Sequence, residues 1–203
     1  MRDHSSLSDL SFPIVVDASA AINLNATGHA PQVLSALPHE VVLVDVVYGE
    51  LENGRPNGWS DAEEASKLLA DGLLKLVKLG EAGLQQFERL VVGPAEKTLD
   101  DGEAATIAYG LETGAIALID ERKANRICAE RFRELQVAST VDILAHGAVQ
   151  RALGTEGLAD AIWNALNRAR MRVLPKHLDW VIRLIGPERA AQCSSLPRSS
   201  RMV

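Results

Sequence analysis

Short apolar runs alternate with longer stretches of mixed character through this chain, and that alternation predicts an α/β fold. Ile14-Val15-Val16 is short enough for a buried strand, and Ala18 to Leu24 is helix-like before a turn at Thr27-Gly28. A helix is expected from Pro31 to Leu37, because proline at the first helical position lacks only an N–H that would be unpaired anyway. Val41 to Val44 supplies a second strand. Tyr48, Leu51 and their neighbours form a short helix that should stop at Asn53-Gly54-Arg55-Pro56-Asn57-Gly58, which is all turn-forming residues save Arg55. Ser60 and Glu63 have the spacing of a capping box, opening a helix to about Asp71-Gly72. Leu74 to Lys78 alternates apolar and polar residues, as a half-exposed strand near a sheet edge does.

Farther on, a helix from Glu81 to Val92 should end at Gly93-Pro94. Asp100 then opens the clearest helical period of the chain, with Ala104, Ile107, Ala108 and Leu111 on one face and Gly114 as its stop. Ala115 to Ile119 reads as a strand, Glu121 to Leu135 as a basic helix, and Val137-Ala138 as the last core strand. Thr140 is a plausible cap for a helix from Val141 to Leu153. Strand and helix in repeated alternation imply a parallel sheet covered on both faces. The core therefore spans residues 13–153. Residues 154–186 form a helical extension of the same domain, with two helix-like segments between Leu158 and Ile185 joined near Arg172-Val173-Leu174-Pro175. Residues 187–203 read as a disordered tail.

Composition fits one domain: 203 residues at 47% hydrophobic content suffice for one sizeable core. No apolar run is long enough to span a membrane, and Asp3, His4 and Asp9 are out of place in a signal segment, so a cytoplasmic protein without membrane contact is expected. Cys128 and Cys193 are too few for a disulfide framework or a cysteine zinc site and read as free thiols. The net charge of −6 argues against a general nucleic-acid coat. Its distribution is uneven. Residues 1–120 hold 7 cations against 19 acids, and residues 121–203 hold 14 against 8. An acidic half supplying metal ligands and a basic half contacting phosphates would suit RNA, while an ordinary solvated surface explains the split equally well.

Four acids stand where a metal-dependent phosphodiesterase would place them. Asp17 and Asp120 end apolar runs, where open parallel sheets bind ligands, and Glu50 and Glu103 lie in helix-like segments. Hard cations such as Mg²⁺ or Mn²⁺ take carboxylate oxygens and keep several waters, so few protein ligands are required. Each acid also has a structural explanation. Asp17 and Asp120 suit helix caps, Glu103 can pair with Asp100 across a first turn, and Glu50 can be a solvated carboxylate. Asp101 rivals Glu103 as the third acid. Arg122 and Arg126, one helical turn apart beside Asp120, suit phosphate contacts or pairing with Glu121 and Glu130. The five histidines show no ligand spacing, and Trp163 and Trp180 suit packing better than base stacking.

Ile-Val-Val-Asp-Ala-Ser (14–19), Val-Val-Tyr-Gly-Glu-Leu (46–51), Leu-Asp-Asp-Gly-Glu-Ala-Ala-Thr-Ile-Ala (99–108) and Ala-Leu-Ile-Asp-Glu-Arg-Lys-Ala (117–124) together resemble the successive motifs of the PIN-domain family. The resemblance implies a three-layer α/β/α domain with a central parallel sheet and a Mg²⁺- or Mn²⁺-binding cluster made by Asp17, Glu50, Glu103 and Asp120. Ser19 matches a small hydroxyl residue beside the first acid. Asn125 stands where relatives often carry arginine, and Asp45 where many carry proline. The expected activity is a metal-dependent ribonuclease, including the toxin of a toxin-antitoxin module with an antitoxin partner. A non-catalytic binding module and a DNA- or structure-specific nuclease are the alternatives. A homodimer is expected through Trp163, Leu166, Trp180, Ile182 and Ile185, with Arg168, Arg170 and Arg172 near its rim. A response-regulator receiver is disfavoured, because Asp17 has no acidic neighbour and Val137-Ala138-Ser139-Thr140 carries no lysine.

Overall fold

Ile14–Val16 (β1), Val41–Val44 (β2) and Ile116–Leu118 (β4) are buried along their whole length, as strands covered on both faces must be. A computed structural model, describing residues 5–7 and 12–198, joins them with Lys75–Val77 (β3) and Val137–Ala138 (β5) in one sheet of order β3-β2-β1-β4-β5. Every pairing is parallel, with Val16 opposite both Leu43 and Leu118. As expected from its alternation, β3 forms an edge and leaves Leu76 exposed. The chain runs outward from β1 through β2 to β3, then returns to the other side of β1 for β4 and β5. This reversal puts a topological switch point between β1 and β4, where open parallel sheets hold their ligands.

The helices are α1 (Ala18–Ala26), α2 (Ala30–Ala36), α3 (Asp45–Asn53), α4 (Asp61–Ala70), α5 (Glu81–Val91), α6 (Asp101–Thr113), α7 (Arg122–Arg131), α8 (Thr140–Leu144), α9 (Gly147–Arg168), α10 (Leu178–Ile185) and α11 (Pro187–Gln192). The face of α6 read from its period is buried at Ala104, Ile107 and Ala108 and packs on β1, β2 and β4, with α3 and α5 beside it. A second group, α1, α2 and α9, packs together. The architecture is three-layer α/β/α. Among the described residues no helix is long and apolar enough to cross a membrane.

Several local expectations are corrected. Ser60 makes no side-chain cap bond; α4 starts instead with Asp61, Glu63 and Glu64 facing the positive end of its dipole. Helix α7 stops at Arg131 rather than Leu135, because Phe132 leaves helical geometry. The residue after β5 that caps is Ser139, in a reciprocal capping box with Asp142, and this frees the Thr140 hydroxyl for another use. Helix α8 is only five residues long, and His146 caps α9.

The helical extension belongs to the core. Gly154 (φ 66°) kinks α9, and Leu158, Ala161, Ile162, Ala165 and Leu166 beyond it are buried. Leu166 and Ile185 are also core residues, while Trp163, Trp180 and Ile182 pack partly buried against that core. The disordered tail expected from residue 187 is instead α11 followed by the buried Cys193 and Leu196, whose apolar side chains and the Ser195 bond to the Leu166 carbonyl fasten it to α9. Residues 199–203 of that tail, and Asp3, His4 and Asp9, lie outside the described residues.

Asp142 ties the extremities to the sheet. Fully buried, it accepts from the backbone and hydroxyl of both Ser6 and Ser139, from Lys176 Nζ at 3.0 Å, and pairs with His177 Nε2 at 3.1 Å. Burial pushes its pKa up, but the bonds from His177, Ser139 and Lys176 together outweigh this and hold the carboxyl far below the usual range.

Candidate active site

Asp17 follows β1 directly, and Asp120 stands two residues beyond β4, so both lie at the carboxyl side of the switch point. The Asp17 N–H donates to the Leu118 carbonyl at 3.2 Å, which links the two strand ends. Asp17 does cap α1: its Oδ1 accepts the Ala20 N–H at 2.6 Å, and the Ser19 hydroxyl lies 3.1 Å from each of its oxygens. Asp120 is no cap. Its oxygens accept from Asn23 Nδ2 at 2.6 Å, the Thr140 N–H at 2.9 Å and the Thr140 hydroxyl at 2.5 Å. The following turn is fastened by Asn125, whose amide donates to the Ile119 and Glu121 carbonyls.

These two carboxylates are 1% and 4% exposed, and none of Asp17, Asp120, Glu50 and Glu103 has a cation within ion-pair distance among the described residues. Burial pushes the Asp17 pKa well up, and Asp120 and Glu103 add to the rise against the Ala20 and Ser19 bonds. Burial also raises Asp120, opposed by Thr140 and Asn23. Their donors are all neutral, so the charge of each buried carboxylate is hydrogen-bonded but not balanced by a cation, which favours a bound positive ion.

Glu103 is the acid of α6 that acts on Asp17. Half-buried in the first turn of α6, it is raised by burial and then by Asp100, whose backbone N–H it accepts. Asp101 is exposed and acts on Glu50 rather than on Asp17. Glu50, on α3, accepts the Gly102 N–H at 2.7 Å and is raised by burial, with Asp101 and Asp100 contributing. The acids are thus linked electrostatically in a row: Asp120 and Glu103 each act on Asp17, and Asp100 acts on both Glu103 and Glu50. Among the described residues no three acid, histidine or cysteine side chains stand close enough to enclose a metal ion. The donor set still fits Mg²⁺ or Mn²⁺, because such ions need only one or two carboxylates besides water and substrate phosphate, and the buried pair lacks a counter-charge.

Arg122 and Arg126 are exposed on α7 and neither is ion-paired among the described residues; Glu121 pairs with Arg172 at 3.5 Å instead. Lys123 is near enough to Glu103 to pull its pKa down. Sequence reasoning passed over Asn23 and read Thr140 and Asp100 only as residues that open helices. Asn23 carried a signal, being polar between Ala20, Ala21 and Leu24 on a buried helix face. Cys128 is a protonated thiol, raised by burial and Glu103 to about 12.

A family model described as "PIN domain" matches residues 13–187, spanning the sheet, the four acids and the helical extension. A search of curated proteins and a search of solved structures gave no match. The match covers most of the chain, and on it, together with the parallel sheet, the chain belongs to the PIN-domain family.

Proposed function

We propose that this chain is a metal-dependent ribonuclease that hydrolyses RNA phosphodiester bonds, with Asp17, Glu50, Glu103 and Asp120 as its acids. PIN domains are generally nucleases. The observation that carries the reading is the pair Asp17 and Asp120, buried without a cation at the switch point of the sheet. When bound, Mg²⁺ or Mn²⁺ supplies Lewis acidity toward water and the phosphoryl oxygens. The chain supplies aim. Ser19 and the Ala20 N–H fix Asp17, Asn23 and Thr140 fix Asp120, and Gly102 fixes Glu50, so few rotamers remain to be frozen when a phosphodiester arrives.

The same proposal takes in a toxin held by an antitoxin, and a homodimer. Leu166 and Ile185 are used in the core, so a dimer through the extension would rest on the partly buried Trp163, Trp180 and Ile182, while Trp59, Leu76, Leu84 and Val92 are exposed elsewhere. A non-catalytic binding module would leave Asp17 and Asp120 only structural roles, as the cap of α1 and the anchor of Asn23 and Thr140. Incubation with single-stranded RNA and DNA of one sequence, in Mn²⁺ and in EDTA, tests the reading. Metal-dependent RNA products support it, exclusive DNA cleavage moves it to a DNA nuclease, and intact substrates of both kinds overturn it.

A further inference from the structure

A cleft of about 700 Å³ lies between the end of α5 with the segment after it and the outer face of α7. Arg89 and Lys97 stand on one wall and Arg126 and Arg131 on the other, with Glu96 and Glu130 the two acids among its lining. The lining therefore carries a net charge of +2, four cations less two acids, within a chain of net charge −6. Its cations are also unengaged. Arg55, Lys67, Lys75, Arg172, Lys176 and Arg189 are all ion-paired, whereas none of the four in the cleft has a carboxylate within 4 Å among the described residues. Arg131 alone has another contact, over the Phe132 ring.

Both walls lead out of the acid row. Helix α7 starts two residues after Asp120, and the segment bearing Lys97 runs into Asp100 and Glu103. Glu103 acts electrostatically on Cys128, which follows the cleft residue Ile127 in α7. Along α7, Lys123 beside Glu103, then Arg126, then Arg131 make a ladder of cations leading away from the acids. Val92, 75% exposed, adds an apolar surface at the cleft.

We infer that this cleft is the track for a single-stranded RNA on one side of the scissile bond, with Arg89, Lys97, Arg126 and Arg131 contacting successive phosphates. The inference rests on the nuclease reading of the acid row. Unpaired cations along a groove bind a backbone by phosphate neutralisation and counterion release, without reading sequence. A polyphosphate chain suits the arrangement better than an acidic protein segment, because the ladder begins where a phosphodiester would be cut.

The test is binding of a fluorescent 20-nucleotide single-stranded RNA to the full chain in EDTA, over a range of salt. A Lys97→Ala/Arg126→Ala double variant should bind at least tenfold more weakly than the parent at low salt, with the log-log salt slope reduced by roughly 1.4, about 0.7 per lost phosphate contact. An Arg151→Ala/Arg183→Ala variant, which removes equal charge elsewhere, should bind as the parent does. Equal weakening of both doubles, or parent-like binding by the cleft double, overturns the inference. So does equally effective competition by polyglutamate of matched charge, which would make the cleft a protein-docking surface. A parent that binds through the cleft but never cleaves in Mn²⁺ refutes the ribonuclease reading alone; one that cleaves while the cleft double binds normally refutes only the track.

Discussion

Thr140 holds Asp120 twice, its N–H donating to Oδ1 at 2.9 Å and its hydroxyl to Oδ2 at 2.5 Å. With Asn23 on Oδ2, the buried carboxylate has donors on both oxygens. Thr140→Val keeps the shape and removes the hydroxyl. Unfolding by denaturant should show a loss of about 1–3 kcal/mol, as for a hydrogen bond to a buried charge. Thr140→Ser should restore most of it. Equal stability of the valine variant and the parent would show that the hydroxyl does not hold Asp120.

Glu50 and Gly102 make a second prediction. A Cβ at Gly102 would stand 2.9 Å from the Glu50 carboxyl carbon and nearer still to an oxygen. Gly102→Ala should therefore turn Glu50 out of the row and lower RNA cleavage to the level of Glu50→Gln. The Gly102→Ala/Glu50→Gln double variant should then be no worse than either single. Additive losses would mean that the two act separately.

The pH dependence of stability follows from opposite shifts. Asp17 and Asp120 have folded pKa values raised above their unfolded ones, so the folded state binds more protons as pH rises from the unfolded carboxylate value through the folded one, and stability falls across that window. Asp142 is lowered, so its contribution is present above the unfolded carboxylate value and is lost only as pH falls below it. In EDTA the melting temperature should thus rise as the pH is lowered through the folded values toward the unfolded carboxylate value, and fall in stronger acid. Asp17→Asn should flatten the upper limb. An unchanged upper limb would mean that Asp17 is not charged against its surroundings.

Asp142 joins residues at both ends of the chain, and Asp142→Asn removes the charge to which Lys176 and His177 are paired. Lys176 is 49% exposed, so its pairing is screened, and loss of the hydrogen bonds to the charged Asp142 carboxylate costs about 1–3 kcal/mol. Denaturant unfolding should show that loss, and native-state hydrogen exchange should show α10 opening first. Parent-like exchange in α10 would contradict the proposed tether.

Much of this was legible because the signals are local. The runs at Ile14, Val41 and Ala115 marked the strands, the period from Ala104 marked α6, and the acids at the ends of two runs pointed to the carboxyl end of the sheet, while the switch point needed the strand order. The tail was misread because Pro187 to Gln192 is polar enough for disorder, and it is held by tertiary contacts, the burial of Cys193 and Leu196 and the pairing of Arg189 with Asp160. Capping near residue 140 was misread because Ser139 and Thr140 are chemically equivalent caps. The choice between them depends on Asp120, distant in sequence. Asp100 looked like a simple cap, and its place between Glu50 and Glu103 depends on packing of α3 against α6.

The central claim is that the buried acids at the switch point perform phosphodiester chemistry with a divalent metal. Its most direct test is the rate of single-stranded RNA cleavage in Mn²⁺ by the parent, Asp17→Asn and Asp120→Asn, with thermal unfolding of each measured in parallel. The account predicts that both variants stay folded and lose cleavage by about two orders of magnitude or more, the scale on which an electrostatic element of an active site acts, and that EDTA abolishes the parent's activity. Parent-like cleavage by either folded variant, or full activity in excess EDTA, would contradict it.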